Sequence, residues 1–273
     1  CCTQNGIRGG SATVHFPIWH QEIQGIIVLK NNKGTEDNRV RKLDYSIQLS
    51  KIFYERFITN GEITLFSPHD VPGLYEAFGT EDFDELYVKY ENSDIPMKKV
   101  KAQELILDLL KERAETGRIY LMNIDHCNSH SSFLDKVEMS NLCQEITLPT
   151  KPIQHIDDET GEIALCILSA VNIGKIRDLS DLETLCDLSV RSLDELIDFQ
   201  HYPVKAAELA TKARRSLGVG YIGLAHYLAK NGVKYEDQRA WELVHDLTEA
   251  FQYYLLKSTV ELAKEKGACK YSD

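Results

Sequence analysis

Missing from this sequence are the features that would mark several broad classes of protein. Lysine and arginine never run to five or six in a row and the formal net charge is −11, so the basic footprint that duplex DNA or RNA needs is absent. A nucleotide-sized anion stays within reach, because a few placed donors suffice for it. No apolar stretch approaches the roughly eighteen residues of a membrane-spanning helix; Ile26–Leu29, for example, is a turn of helix or a short strand. No signal-peptide layout opens the chain, and no internal repeat, low-complexity tract or obvious linker interrupts it. The seven cysteines are odd in number and irregularly spaced, which reads as a reduced, intracellular protein instead of a disulfide framework. An initiator Met is also lacking. The chain opens on Cys1-Cys2 and closes just past a helix stop at Gly267, as an internal segment of a longer protein would.

What is present is globular. Over 273 residues, 43% hydrophobic and 27% charged composition is enough to bury a core. Residue alternation predicts strands at 12–16, 43–49, 62–66, 118–124, 140–146 and 162–169, with helix-like stretches from Trp19 and over 52–58. Asp70, after the turn Ser67-Pro68-His69, is a helix N-cap candidate with Pro72 in the first turn. Of the two amphipathic helices that follow, the second carries Ala102, Leu105, Ile106, Leu109 and Leu110 on one stripe and stops at Gly117. The loop 157–161, DDETG, has turn chemistry. Beyond residue 179 the pattern is helical, with stripes through Leu182, Cys186, Leu193 and Ile197 and through Leu247, Phe251 and Leu262. Strands alternating with helices predict an α/β fold with a mainly parallel sheet, followed by a helical segment.

Several stretches carry chemistry. In SNLCQEI, residues 140–146, a strand would put Asn141, Cys143 and Glu145 on one face, with only two aliphatic side chains and Gln144 on the other. Neither face resembles a conventional core. A reactive thiol, a proton-moving carboxylate and an orienting amide fit one site, against the plainer reading of a solvated edge. Cys166, in the apolar run GEIALCILS, reads either as a buried structural thiol or as a second thiol near the first. The loop 4–10 combines Gln4, Arg8, Gly9 and Gly10: glycines permit close backbone approach, and the arginine offers a planar charged fork. It is equally a mobile surface loop. His126, Cys127 and His130 offer three metal ligands, but a second cysteine pair is missing, so hydrogen-bonded loop histidines are favoured. Gly218, Gly220 and Gly223 match G-x-G-x-x-G; the helical, charged residues before them argue against a dinucleotide site and for glycines easing packing at a helix start.

Seven stretches together make a near-continuous match to a known family. They are NGIRGGSATVHFPIWH, IIVLKNN, ITLFSPHDVPGLYEAF, TGRIYLMNIDHCNSH, SNLCQEITLPTKP, GEIALCILSAVN and QYYLLKSTVELAKEKGAC, and they reach from the first loop to residue 269. The chain resembles an internal segment of the large (alpha) subunit of class I ribonucleoside-diphosphate reductase, of the bacterial and bacteriophage type. That resemblance implies part of a ten-stranded α/β barrel, with a finger loop in its centre and the catalytic cysteine at the finger's tip. Residues 1–273 would be a partial catalytic barrel, truncated at both ends. Within it, 1–11 would be the loop coupling the specificity effector to the substrate base, through Gln4 and Arg8, and 140–169 would hold the finger loop and redox-thiol strands.

The resemblance also implies roles. Cys143 would become a thiyl radical and take the 3′-hydrogen of a ribonucleoside diphosphate, Glu145 the 3′-hydroxyl proton, and Asn141 would hydrogen-bond the sugar hydroxyls. Cys166 would be one of two redox thiols, its partner lying upstream of Cys1. No cofactor or metal would bind this chain directly. A metal-containing small (beta) subunit would supply the radical, nucleoside triphosphates would act as effectors, and thioredoxin or glutaredoxin as external reductant. The large subunit would be a homodimer in the cytoplasm of a bacterium or of a phage-infected host. Since other family parts are absent, the 273 residues alone are expected to be inactive. Competing expectations are a non-catalytic scaffold or interface segment, and a metal-dependent enzyme using His126, Cys127 and His130.

Overall fold

The computed structural model describes residues 3–272 apart from residue 5, with only the backbone of Gln4. The chain divides into two compact units, residues 1–149 and 150–273.

In the first unit, β1 (Thr3–Gln4) and β2 (Arg8–Gly9) pair antiparallel around Gly6, whose φ of +71° suits a residue without Cβ. The glycine-rich stretch is thus a short hairpin. Cys1, Cys2, Asn5 and the Gln4 side chain lie outside the described residues. There follow β3 (Thr13–Pro17), α1 (Ile23–Ile26), β4 (Asp44–Leu49), α2 (Lys51–Ile58), β5 (Glu62–Leu65), α3 (Leu74–Ala77), α4 (Phe83–Glu91), β6 (Lys98–Lys101), α5 (Ala102–Thr116), β7 (Ile119–Asn123) and α6 (Ile124–Ser129). Strands β3, β4 and β7 form a parallel sheet with β4 in the middle, and β5 and β6 an antiparallel pair.

One face of the parallel sheet is conventional. Tyr45, Ile47, Leu49 and Ile119 join a core with Ile52, Phe53, Leu105 and Leu109 from α2 and α5. Burying such side chains supplies the main drive to fold, about 25 cal/mol per Å² of apolar surface. Gly117 ends α5 in the left-handed conformation expected of a helix stop. Two local expectations need correction. Trp19 does not open a long helix, because the backbone around it is already bonded to Phe66: Phe66 N donates to Trp19 O at 2.8 Å and Gln21 N to Phe66 O at 2.8 Å. Only the single turn α1 remains. Nor does Asp70 cap a helix; it ends a 3-10 turn, and α3 starts after Gly73 at φ +82°.

The second unit contains β8 (Ile167–Asn172), α7 (Asp181–Phe199), α8 (Lys205–Arg214), β9 (Leu217–Ile222), α9 (Leu224–Lys230) and α10 (Gln238–Lys266). The stripes on α7 and α10 meet, burying Leu182, Cys186, Leu247 and Phe251 in one cluster. The G-x-G-x-x-G stretch is a strand and not a helix start: β9 pairs parallel to β8 from Leu217 opposite Ile167 to Ile222 opposite Asn172. Gly218 allows close approach, since a Cβ there would lie 2.6 Å from Leu168 Cδ2. Gly223, at φ +86°, then turns the chain into α9. Helix α8 precedes the motif, so the objection to a dinucleotide fingerprint stands on the observed elements.

The architecture is therefore mixed α/β, as expected. The parallel strands among the described residues fall into sheets of three and two, and they do not close a ten-stranded barrel. Among the same residues no helix is long and apolar enough to cross a membrane.

Candidate functional site

The other face of the β3–β4–β7 sheet is unusual. All six residues of β4 are buried, and alternate ones are polar: Asp44, Ser46 and Gln48 are 6%, 0% and 1% exposed. Buried polar groups need partners. Asp44 holds Lys30 at 2.6 Å and Arg118 at 3.3 Å. Register places His15 of β3 and Tyr120 of β7 on either side of Ser46, so one row of polar side chains crosses all three strands. Burial pulls the His15 imidazole below its usual pKa, against the opposing pull of the Ser140 backbone beside it.

The segment 138–146 supplies partners to Ser46 and Gln48, while the buried ring nitrogens of His15 find none among the described residues. Thr13 Oγ1 donates to Leu142 O at 2.6 Å, and Gln48 Nε2 donates to Glu138 O at 2.6 Å. Ser46 Oγ donates to Gln144 Oε1 at 2.5 Å, while Gln144 Nε2 donates to Leu121 O at 2.5 Å. Burial pushes the Tyr120 phenol up from its usual value. SNLCQEI is thus anchored to three strands of one sheet.

It is not, however, a strand. Gln144 has φ +65°, and its N–H closes a turn onto Asn141 O at 3.2 Å. Asn141 Oδ1 accepts from Ile146 N at 3.1 Å, and Ser140 Oγ donates to Ile146 O at 2.6 Å. Short polar side chains bonded to nearby backbone offer the chain an alternative to a sheet ladder, and here that alternative holds. The expected one-face alignment of Asn141, Cys143 and Glu145 is replaced by a turn tip. Cys143 and Glu145 are exposed on it, while Asn141 is half-buried beneath. The shielded interior expected around this thiol is not formed by the described residues.

Cys166 also differs from expectation. The strand predicted at 162–169 begins only at Ile167, and Cys166 is exposed just before it. The preceding residues are anchored elsewhere. Glu162 bridges to Lys151 and ion-pairs with Arg214 at 2.7 Å, and Ile163 N donates to Ala206 O at 3.3 Å. The thiol is not the buried structural kind.

Arg8, Gly9 and Gly10 are exposed on or beside the β1–β2 hairpin. His126, Cys127 and His130 line a cleft of about 630 Å³ next to Gln144, the two imidazoles edge to face at 5.7 Å. Burial, then Asp125, pushes the Cys127 thiol up. Among the described residues no group of three or more histidine, cysteine or acidic side chains is arranged to hold a metal ion, so the metal-enzyme alternative loses its ligand set. Residues overlooked in the sequence are Thr13, Ser46, Gln48, Tyr120 and Gln144. Polar residues at alternate positions of DYSIQL were the available signal for Ser46 and Gln48. Nothing local marked Tyr120.

Comparison with known proteins identifies the family. A family model described as "Ribonucleotide reductase, barrel domain" matches residues 1–273. The chain is 60% identical to the ribonucleoside-diphosphate reductase subunit alpha of Haemophilus influenzae, over 99% of this chain and 36% of that protein. It is 54% identical to ribonucleoside-diphosphate reductase 1 subunit alpha of Escherichia coli and 46% identical to the subunit alpha of Enterobacteria phage T4, with the same coverage. It spans about a third of the length of these curated relatives. The chain belongs to the ribonucleotide reductase barrel-domain family.

Proposed function

We propose that the polypeptide to which this barrel segment belongs reduces ribonucleoside diphosphates to 2′-deoxyribonucleoside diphosphates for DNA precursor synthesis, with Cys143 as the radical-bearing thiol. The observation that carries the reading is the turn itself: a cysteine at an exposed tip, flanked by Asn141 and Glu145, fixed by side chains from two strands and a backbone carbonyl of a third. A radical needs such fixing, because its selectivity depends on which hydrogen lies within reach.

The chemistry balances with these residues. Cys143, oxidised by one electron and one proton to the thiyl, takes the 3′-hydrogen atom of the ribose, and Glu145 accepts the 3′-hydroxyl proton. Asn141, its side-chain oxygen occupied by Ile146 N, offers its amide N–H groups to a sugar hydroxyl. The 2′-hydroxyl leaves as water, protonated by Cys166 or a second thiol from the rest of the polypeptide. Those two thiols supply two electrons and the hydrogen that replaces the hydroxyl on C2′, and end as a disulfide, while Glu145 returns its proton to the 3′ oxygen. Cys143 finally returns a hydrogen atom to C3′, which regenerates the thiyl.

In this reading the five parallel strands here belong to a ten-stranded barrel, and the remaining strands and the substrate enclose Cys143. Residues 138–146 are its finger loop. The β1–β2 hairpin, with Gln4, Arg8, Gly9 and Gly10, relays nucleoside triphosphate effectors to the substrate base. A metal-containing small subunit delivers the oxidising equivalent, a homodimer of large subunits is the working form, and thioredoxin or glutaredoxin resets the disulfide in the cytoplasm. The test is steady-state reduction by the full-length large subunit with its small subunit. Cys143→Ser should abolish turnover while effector binding is kept, and Cys166→Ser should block repeated turnover. Turnover by Cys143→Ser at the wild-type rate would overturn the reading.

A further inference from the structure

The turn that presents Cys143 rests on a residue to which the chemistry above gives no role. Gln144 adopts φ +65°, a backbone conformation that side-chain-bearing residues other than Asn and Asp rarely hold without compensation. The compensation is visible. Its amide accepts from Ser46 Oγ on the central strand and donates to Leu121 O on the neighbouring strand, each at 2.5 Å. Ser46 is fully buried, so its hydroxyl relies on this partner. The adjoining residue on this turn is Cys143, exposed at its tip.

We propose that Gln144 is a positioning residue: clamped between Ser46 and Leu121 O, it locks the left-handed turn and fixes the direction of the Cys143 side chain. The inference rests on Cys143 being the reactive thiol. A thiol on an unlatched turn would sample several directions, and only one of them serves a given ribose hydrogen. Misplacement by about 1 Å costs on the order of a hundred-fold in rate. Loss of the latch should therefore appear in kcat rather than in KM.

The test uses the full-length large subunit with its small subunit. Gln144→Leu keeps the size of the side chain and removes both hydrogen bonds; Ser46→Ala removes one partner and little else. We expect kcat to fall roughly ten- to a hundred-fold in Gln144→Leu, with KM within about two-fold. Ser46→Ala should show a smaller fall, and the double variant should be no worse than Gln144→Leu alone, because both changes break one latch. A purely structural role would not move a second readout. Alkylation of Cys143 by iodoacetamide, followed by peptide mapping with Cys166 as internal reference, should change several-fold in both variants. If Gln144→Leu proves unstable, the Ser46→Ala measurements decide. Wild-type kcat together with unchanged Cys143 alkylation in the folded variants would overturn the proposal. If that happens while Cys143→Ser is inactive, only the latch fails; if Cys143→Ser is active, the reading of the thiol itself fails.

Discussion

Thiols in this chain are distinguished by their surroundings, residue by residue. Cys186 is fully buried between α7 and α10, with Sγ 3.9 Å from Phe251 O, and burial pushes it up to about 11. Cys143 and Cys166 are exposed. Since the thiolate is the reactive form, Cys186 should be the last of these three to be alkylated in the native full-length protein at pH 8, and should react freely only after unfolding in urea. Native labelling of Cys186 as fast as of Cys166 would contradict its placement. At this scale the sequence was partly legible. The trio Asn141, Cys143 and Glu145 stood out as reactive types, and so did Cys166. The direction of each side chain was not legible, because it depends on one backbone angle at Gln144 and on a buried partner, Ser46, 98 residues earlier in the chain.

Among elements, the parallel strands β3, β4 and β7 fell close to where period-two alternation placed them, and α5 ended at its predicted glycine. Failures share a cause: in each, specific hydrogen bonds or close contacts outweighed the residue pattern. Ser140 and Asn141 bonded Ile146 and folded 140–146 into a turn, Glu162 anchored its neighbours away from β8, and residues 217–222 entered a sheet in which Gly218 leaves room for Leu168. The short pair β5–β6 shows the same principle in a stabilising role. Thr64 N donates to the Tyr87 hydroxyl at 2.8 Å, and that hydroxyl donates to Thr64 O at 2.7 Å. Burial, with Glu91 beside it, raises the Tyr87 phenol well above its usual range and keeps it protonated as that donor. Tyr87→Phe leaves two buried backbone groups unpaired. It should lower stability by about 2 kcal/mol in urea unfolding, whereas a loss below about 0.5 kcal/mol would show that water replaces the hydroxyl.

At the scale of the whole chain, each unit has its own core, and the second is also tied by buried carboxylates. For Glu162, burial alone would raise the pKa, yet hydrogen bonds from Lys151 and Arg214 overcome it and hold the carboxyl below its usual value. Asp194 behaves alike, with Arg215 and Lys266 outweighing its burial. A depressed carboxylate stabilises fully above its unfolded pKa of about 4, and that contribution disappears as the pH falls through the lower folded value. Unfolding free energy of the second unit within the full-length protein should therefore drop below pH 4. Glu162→Gln should flatten that dependence and cost about 3 kcal/mol at pH 7. An unchanged acid limb in the variant would remove Glu162 from the cause. Family membership was readable at this scale from seven sequence stretches, whereas barrel closure was not, since the strands among the described residues supply two partial parallel sheets.

All of the proposed chemistry starts from one atom transfer, from C3′ of the ribose to the sulfur of Cys143. A hydrogen carried on a thiol exchanges with water, so a ribonucleoside diphosphate tritiated at the 3′ position reports that transfer directly. With the full-length large subunit and its small subunit, part of the tritium should appear in water during turnover, and none should appear with Cys143→Ser. Tritium release from the serine variant at the wild-type rate would contradict the assignment of Cys143.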